Sequence, residues 1–146
     1  MSEQKEKIEQ LGFMIGRWKL EYHIPQSPYH VEAKGTGQGR IEVALDGRYM
    51  FFDYVSEVAS NRTQAHGVFT WDVSNRCYRF WWFESTGNFD AAKGKLLDES
   101  TLYMEWDGPC RQTFKKEGDG LVLEMECLDP EKRYVPVMKV VFQREQ

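Results

Sequence analysis

The amino-acid sequence predicts an all-β protein, a single antiparallel meander barrel of about ten strands preceded by a short N-terminal helix. Apolar and polar residues begin to alternate with period 2 after Gly16, and this pattern continues to the last residues. Turn signals interrupt the alternation about every 8–12 residues, which is typical of an all-β sandwich or barrel. Because connections after the second strand are short, consecutive strands should pair, and such a meander avoids raw edges by closing on itself.

Size and composition limit the remaining possibilities. We expect the 146 residues to form one domain, 1–146, with the helix in 1–11 and the barrel in 16–144. The 14% aromatic content argues against disorder, and no apolar run approaches the ~20 residues that a membrane helix needs. The net charge is −4 and the basic residues are scattered, so neither nucleic acid nor an anionic membrane is an expected partner.

The first elements are the clearest. Residues 2–11 are expected to form the helix, because Ser2 can cap it and Ile8 and Leu11 have helical spacing. Residues 17–24 then alternate, with an apolar face predicted to point inward. The other strands are expected at 34–45, 48–58, 65–73, 76–84, 88–97, 100–106, 110–117, 121–128 and 134–144.

The cysteines and the first residues predict a reducing environment. Cys77, Cys110 and Cys127 are odd in number and contain no CxxC pair, so we expect three small buried thiols. The polar, mixed-charge segment 1–7 lacks the apolar core of a secretory signal, which favours a cytoplasmic location. The sequon at 61–63 is then expected to be only a polar loop.

Two sets of residues resemble known proteins. Gly16 and Trp18 after a helix, with Arg144 in the last strand, resemble the Gly-x-Trp and Arg of lipocalin-like (calycin) barrels, where the Arg packs over the Trp and closes the base. The middle of the chain resembles a mainly bacterial, lipocalin-like family classed as a domain of unknown function. That similarity is carried by Leu-Asp-Gly-Arg-Tyr at 45–49, His-Gly-Val-Phe-Thr-Trp-Asp at 66–72, Tyr78, Trp82, Glu84, Gly87, and Met-Lys-Val-Val-Phe-Gln-Arg at 138–144. The resemblance implies a calycin barrel closed by Trp18 and Arg144, and it implies no reaction.

Aromatic residues indicate an internal cavity. The segment 78–83 (Tyr-Arg-Phe-Trp-Trp-Phe) carries rings on both faces, so one face should line the interior while the other is covered by the helix, by a partner or by nothing. A barrel of more than eight strands is too wide for its own side chains to fill. The expected ligand-binding residues are Tyr22, Phe52, Tyr54, Phe80, Trp82, Met104 and Arg111, with Tyr54 or Arg111 fixing a polar head group.

Three functional hypotheses remain open on the sequence. The first is a carrier or sensor that binds a small apolar or amphipathic molecule without a cofactor. The second is an acid–base enzyme with Glu84 or Asp53 as base and a tyrosine as acid; Asp90 is a further carboxylate, and Arg79 and Arg111 are the expected charge partners. The third is a homodimer formed through the outer aromatic face of 78–84. Catalytic residues are not assigned, and binding is favoured over catalysis.

Metal or haem chemistry is not predicted. His23 shares a strand face with charged residues, His30 lies in a proline-flanked loop, and only His66 is expected near the barrel mouth. Three histidines in three contexts do not form a ligand set. The last strand, where a haem-binding histidine would be expected by analogy with related barrels, contains none.

Overall fold

A computed structural model describes residues 2–145 of the chain. Its elements are helix α1 (Glu3–Glu9), a 3-10 turn (Gly12–Met14) and the strands β1 (Gly16–Ile24), β2 (Ala33–Ala44), β3 (Tyr49–Val58), β4 (Asn61–Asp72), β5 (Cys77–Glu84), β6 (Phe89–Asp98), β7 (Thr101–Trp106), β8 (Cys110–Glu117), β9 (Gly120–Leu128) and β10 (Tyr134–Arg144).

The ten strands form a closed antiparallel barrel, which confirms the predicted fold class. Each strand pairs with its neighbours in sequence, and β1 pairs with β10 to complete the ring. In that closing ladder Trp18 lies opposite Arg144 and Leu20 opposite Phe142. The inward set of β1 is therefore the apolar set that alternation predicts.

Helix α1 and the 3-10 turn close one end of the barrel. Ser2 caps α1 by accepting a hydrogen bond from the Lys5 N–H. Ile8, Leu11 and Met14 are fully buried in the barrel core. The Tyr78 hydroxyl donates to the Lys7 carbonyl at 2.8 Å and so joins β5 to the helix. We call this end the base and the opposite end the mouth.

Trp18 and Arg144 lie together at the base. The Trp18 ring is fully buried, and its Nε1 donates to the Met14 carbonyl at 3.0 Å. The Arg144 guanidinium lies 4.3 Å from the centre of the ring, within the range of a cation–π contact. Arg144 also donates to the carbonyls of Ile15 (3.0 Å) and Asp119 (3.2 Å), which joins the 3-10 turn to the β8–β9 turn.

Strand β4 begins earlier than its sequence suggests. Residues 61–63, expected to be a polar loop, are the first residues of the strand. Ala59 and Ser60 both have positive φ (51° and 68°), so a two-residue turn joins β3 directly to β4. The expectation was wrong because Ala-Ser is not one of the glycine-containing pairs, such as Asn-Gly or Asp-Gly, that usually mark a two-residue turn with positive φ.

Two of the three cysteines are bonded, which corrects the expectation of three thiols. Cys110 and Cys127 are directly opposite in the β8–β9 ladder and form a disulfide. Cys77 is a free thiol. The prediction failed because it weighed spacing along the chain and not the register of the hairpin, which brings residues 17 apart face to face.

The outer face of β5 is not covered by the helix, which was one of the three alternatives that the sequence left open for the second aromatic face of 78–83. Helix α1 packs across the base, while Trp81 and Phe83 remain 38% and 48% exposed. Phe89 of β6, directly opposite Phe83, is 76% exposed. Within residues 2–145, no helix has the length and apolar character needed to cross a membrane.

Candidate functional site

The half of the barrel next to the mouth contains a cavity of about 210 Å³. Its wall is mostly aromatic and aliphatic, formed by residues of β3, β5, β6, β7, β8, β9 and β10. These are Phe52, Tyr54, Phe80, Trp82, Asp90, Trp106, Cys110, Gln112, Phe114, Leu123, Met125 and Met138. An apolar, concave space with a few polar groups is the usual form of a small-molecule site.

The cavity starts where the aromatic core of the base ends. Phe69 stacks on Phe80 with ring centres 4.2 Å apart, and Phe114 makes edge contacts with Phe69 and Phe142. Gly67 faces inward beside Phe80, and a Cβ at this position would overlap the Phe80 ring. The Phe80 ring therefore lies against the wall of β4, where a larger residue would push it into the cavity.

Gln112 presents an amide group to the cavity. The Gln112 side chain is 96% buried, and its Oε1 accepts a hydrogen bond from Trp106 Nε1 at 2.9 Å. Because an indole nitrogen can only donate, this bond fixes which end of the amide is oxygen. The Nε2 group makes no hydrogen bond to any of residues 2–145, so it is available to an acceptor in the cavity.

Tyr54 supplies a hydroxyl group to the same wall. Its oxygen accepts from Trp82 Nε1 at 2.8 Å, which leaves the hydroxyl hydrogen to donate. Burial raises the pKa of Tyr54 to about 12, helped by the negative charge of Glu84 and opposed by the Trp82 hydrogen bond. Tyr54 is therefore a neutral phenol at physiological pH.

Asp90 is the charged residue in this wall. It lies on β6 directly opposite Trp82, so both side chains leave the sheet on the inner face. One of its oxygens accepts from the Ala91 N–H at 2.8 Å. Among the described residues it forms no ion pair, and no Lys, Arg or His lines the cavity.

The predicted ligand-binding residues divide into three groups. Phe52, Tyr54, Phe80 and Trp82 line the cavity. Tyr22 and Met104 face inward and are buried in the core, but they do not reach the cavity wall. Arg111 lies on the outer face of β8, where it stacks on Tyr134 at 3.6 Å and pairs with Glu126 at 3.0 Å. Its expected role at a polar head group inside the barrel therefore has no support in its position.

Several wall residues escaped the sequence interpretation. Trp106, Gln112 and Cys110 line the cavity, yet they fall at strand ends or in a strand without clear alternation. The signal that could have found Gln112 is Phe114, the one strongly apolar residue of β8. Counting two residues back from it places Gln112 on the inner face.

The acid–base candidates are scattered. Asp53 lies on the outer face of β3, where its Oδ1 is 2.5 Å from Nδ1 of His66. Both residues therefore face away from the barrel interior, contrary to the expectation. Arg79 pairs with Asp72 at 3.1 Å, not with a wall carboxylate. Glu84 continues the inward set of β5 beyond Trp82 and accepts a hydrogen bond from Thr86 at 2.6 Å. Asp90 alone of the three carboxylates lines the cavity.

A larger and more open space of about 600 Å³ borders the cavity. The two spaces share Gln112, Met125 and Met138. The rest of the larger space is lined by six charged residues (Glu32, Lys34, Arg111, Glu124, Glu126 and Lys139) and by seven others, among them Ile24, Pro25, Tyr103 and Pro136. Because Arg111 lies on the outer face of β8, this space lies partly outside the barrel. Among residues 2–145, no group of three or more His, Cys, Asp or Glu is arranged to hold a metal ion.

Comparison with known protein sequences identifies the family of this chain. A family model described as "Protein of unknown function (DUF1579)" matches residues 3–144, and the chain belongs to that family. No curated protein sequence matches the chain significantly.

The fold is shared with two solved structures of distant sequence. Rv2717c from M. tuberculosis is 8% identical, with a TM-score of 0.69 over 95% of this chain and 97% of the other. The S-type phycobiliprotein lyase CPES from Guillardia theta is 7% identical, with a TM-score of 0.64 over 100% and 99%. At these identities the similarity shows the barrel fold alone.

Proposed function

We propose that this barrel binds a small, largely apolar molecule in its interior cavity. The observation that carries the proposal is the Gln112 amide, which is 96% buried, fixed in orientation by Trp106 and without a partner among residues 2–145 for its N–H groups. The Nε2 group is accessible from the cavity, so a ligand oxygen can take the hydrogen bond that a water molecule would otherwise accept there. Tyr54 offers a second donor in the same apolar wall.

The size of the cavity limits the ligand. An apolar cavity of about 150 Å³ is known to hold benzene. The space here, about 210 Å³, therefore suits a molecule with one ring or a short chain and one or two polar atoms. The phycobiliprotein lyase and this chain have similar folds, and the proposal does not extend to that enzyme's substrate.

Native mass spectrometry and saturation-transfer NMR test the proposal. Freshly purified protein is expected to carry a co-purifying small molecule, or to bind acetophenone, whose carbonyl suits the Gln112 amide. Leu123→Trp should fill the cavity and reduce acetophenone affinity by at least about tenfold. Leu97→Trp adds the same ring on the exposed outer side and should bind normally. Equal binding by wild type and Leu123→Trp would place the ligand elsewhere.

Self-association is a second candidate role, favoured by the exposed aromatic patch. Trp81, Phe83 and Phe89 lie together on the outer face of β5 and β6. We expect multi-angle light scattering to give twice the chain mass, and Phe83→Lys to return it to the monomer mass. Leu97→Lys, a matched change at another exposed position, should leave the dimer intact. A monomer mass for the wild type contradicts this role.

A cytoplasmic location also remains part of the proposal. The Cys110–Cys127 bond makes it testable, because structural disulfides are uncommon in reducing compartments. Acid-quenched alkylation of whole cells, compared with that of the purified protein, would show whether Cys110 and Cys127 are thiols or a disulfide inside the cell.

A further inference from the structure

We infer that the preferred occupant of the cavity is a small organic cation, a protonated amine or quaternary ammonium attached to an apolar body. The inference rests on the proposed function and assigns its ligand class. The geometry points to a cation site made by Asp90 together with Trp82 and Trp106.

The arrangement of rings is the first argument. The Trp82 and Trp106 rings are 6.3 Å apart between centres and meet at 75°, and Trp106 also meets Phe80 at 64°. The Trp106 ring is steeply inclined to both of the others, and all three rings line the same cavity, as the rings of an aromatic cage for an ammonium group do. A cation is attracted to the negative face of each ring, whereas a neutral group gains only contact area.

The position of Asp90 is the second argument. Its backbone lies opposite that of Trp82, so its carboxylate and the Trp82 ring share one patch of the inner wall. Ala92, two residues along β6, pairs with Trp106, which places Trp106 diagonally beside Asp90. The carboxylate thus lies between the two indoles in the ladder, near the position that a caged ammonium would occupy.

The charge balance of the wall is the third argument. Asp90 is the carboxylate in the cavity wall, and no basic residue of the described chain lines the cavity. Glu84 adds a second negative charge near Tyr54. An apolar wall screens charge poorly, so this excess carboxylate attracts a cation and repels an anion. The Gln112 and Tyr54 donors then suit a hydroxyl, ether or carbonyl oxygen in the ligand's body.

Three probes with the same number of non-hydrogen atoms test the inference by isothermal titration calorimetry. Benzyltrimethylammonium is the cation, neopentylbenzene is its neutral isostere, and 3-phenylpropanoate is an anion. We expect the cation to bind at least about tenfold more tightly than the isostere, and the anion to bind most weakly. Raising the salt concentration should weaken the binding of the cation, which the carboxylate attracts, and strengthen that of the anion, which it repels.

A pair of matched variants tests the role of Asp90. Asp90→Asn should remove most of the preference for benzyltrimethylammonium over the isostere and leave only the smaller part that the aromatic rings supply. Asp107→Asn removes the same charge from the exposed turn after Trp106, outside the cavity wall, and should keep the preference. Circular dichroism of both variants checks that the barrel is folded.

The outcomes separate this inference from the function on which it rests. If the isostere binds as well as the cation, or if Asp90→Asn keeps the preference, the cation site is wrong and the cavity still binds ligands. If none of the probes, nor acetophenone, binds, the proposed function itself fails.

Discussion

At the scale of single residues, the space beside one glycine controls whether two strands can pair. Gly94 of β6 faces inward opposite Met104, and a Cβ on it would overlap the carbonyl oxygen of Tyr103. We predict that Gly94→Ala lowers the free energy of unfolding by about 1–3 kcal/mol, because the backbone of β7 must move away. Urea denaturation measures the change. Gly108→Ala, with open space around its Cβ, is the control and should cost much less.

Asp72 gives a pH-dependent prediction at the same scale. Hydrogen bonds from the Asn75 side chain and backbone, and then from Arg79, lower the pKa of Asp72 from 3.8 to about 2. A group whose pKa is lowered on folding stabilises the protein above its unfolded pKa, and this contribution is lost as the pH falls through the folded pKa. The stability advantage of wild type over Asp72→Asn should therefore be constant above about pH 5 and shrink between about pH 4 and pH 2. Urea midpoints across that range test it, and an advantage that grows on acidification contradicts it.

At the scale of elements, helix α1 acts as a plug in the base. Ile8 is 1% exposed and belongs to the core, whereas Glu9 beside it faces solvent. Ile8→Ala should lower the free energy of unfolding by about 2–5 kcal/mol, because it leaves a cavity that the surrounding strands cannot fill. Glu9→Ala should change it by less than about 0.5 kcal/mol. Similar values for the two variants in thermal or urea unfolding would show that the helix is not part of the cooperative core.

The β8–β9 hairpin gives a prediction about its disulfide. Under denaturing, non-reducing conditions only Cys77 should react with iodoacetamide, and all three cysteines should react after reduction. Mass spectrometry of the intact protein counts the labels. Because the bond closes a loop of 17 residues, its loss in Cys110→Ser/Cys127→Ser should cost about 3 kcal/mol on the chain-entropy model. Cys77→Ser is the control, and three labels without reductant would disprove the bond.

The elements also show how far sequence patterns reach. Alternation is strongest where a strand has one wet face, so β1 was predicted together with its inward residues. In β8 only Phe114 is both apolar and fully buried, and alternation could not decide the side of Arg111. Alternation alone could not predict the polar groups of the cavity. The Trp106–Gln112 and Trp82–Tyr54 hydrogen bonds depend on side-chain rotamers and on the register between strands.

At the scale of the whole molecule, closure removes the two edges that a ten-stranded sheet would otherwise expose. The first and last strands of a chain usually fray, because each has only one neighbour. Here β1 and β10 each have two, and they pair with each other from Trp18–Arg144 to His23–Lys139. Separating them would expose both ladders and the core beneath Leu20, Val140 and Phe142. The terminal strands should therefore open only when the barrel unfolds.

Hydrogen exchange measured by mass spectrometry tests this prediction. The amides of β1 and β10 should be protected at least about 10,000-fold, close to the protection of β5 in the middle of the chain, because all report the same global opening. The loop at 25–32, which lies outside the barrel ladders, should exchange much faster and serves as an internal control. A moderate concentration of urea should lower the protection of β1, β5 and β10 in parallel. Early exchange in β1 and β10 alone would mean that the seam opens separately, and the barrel would then behave as an open sheet with two frayed edges.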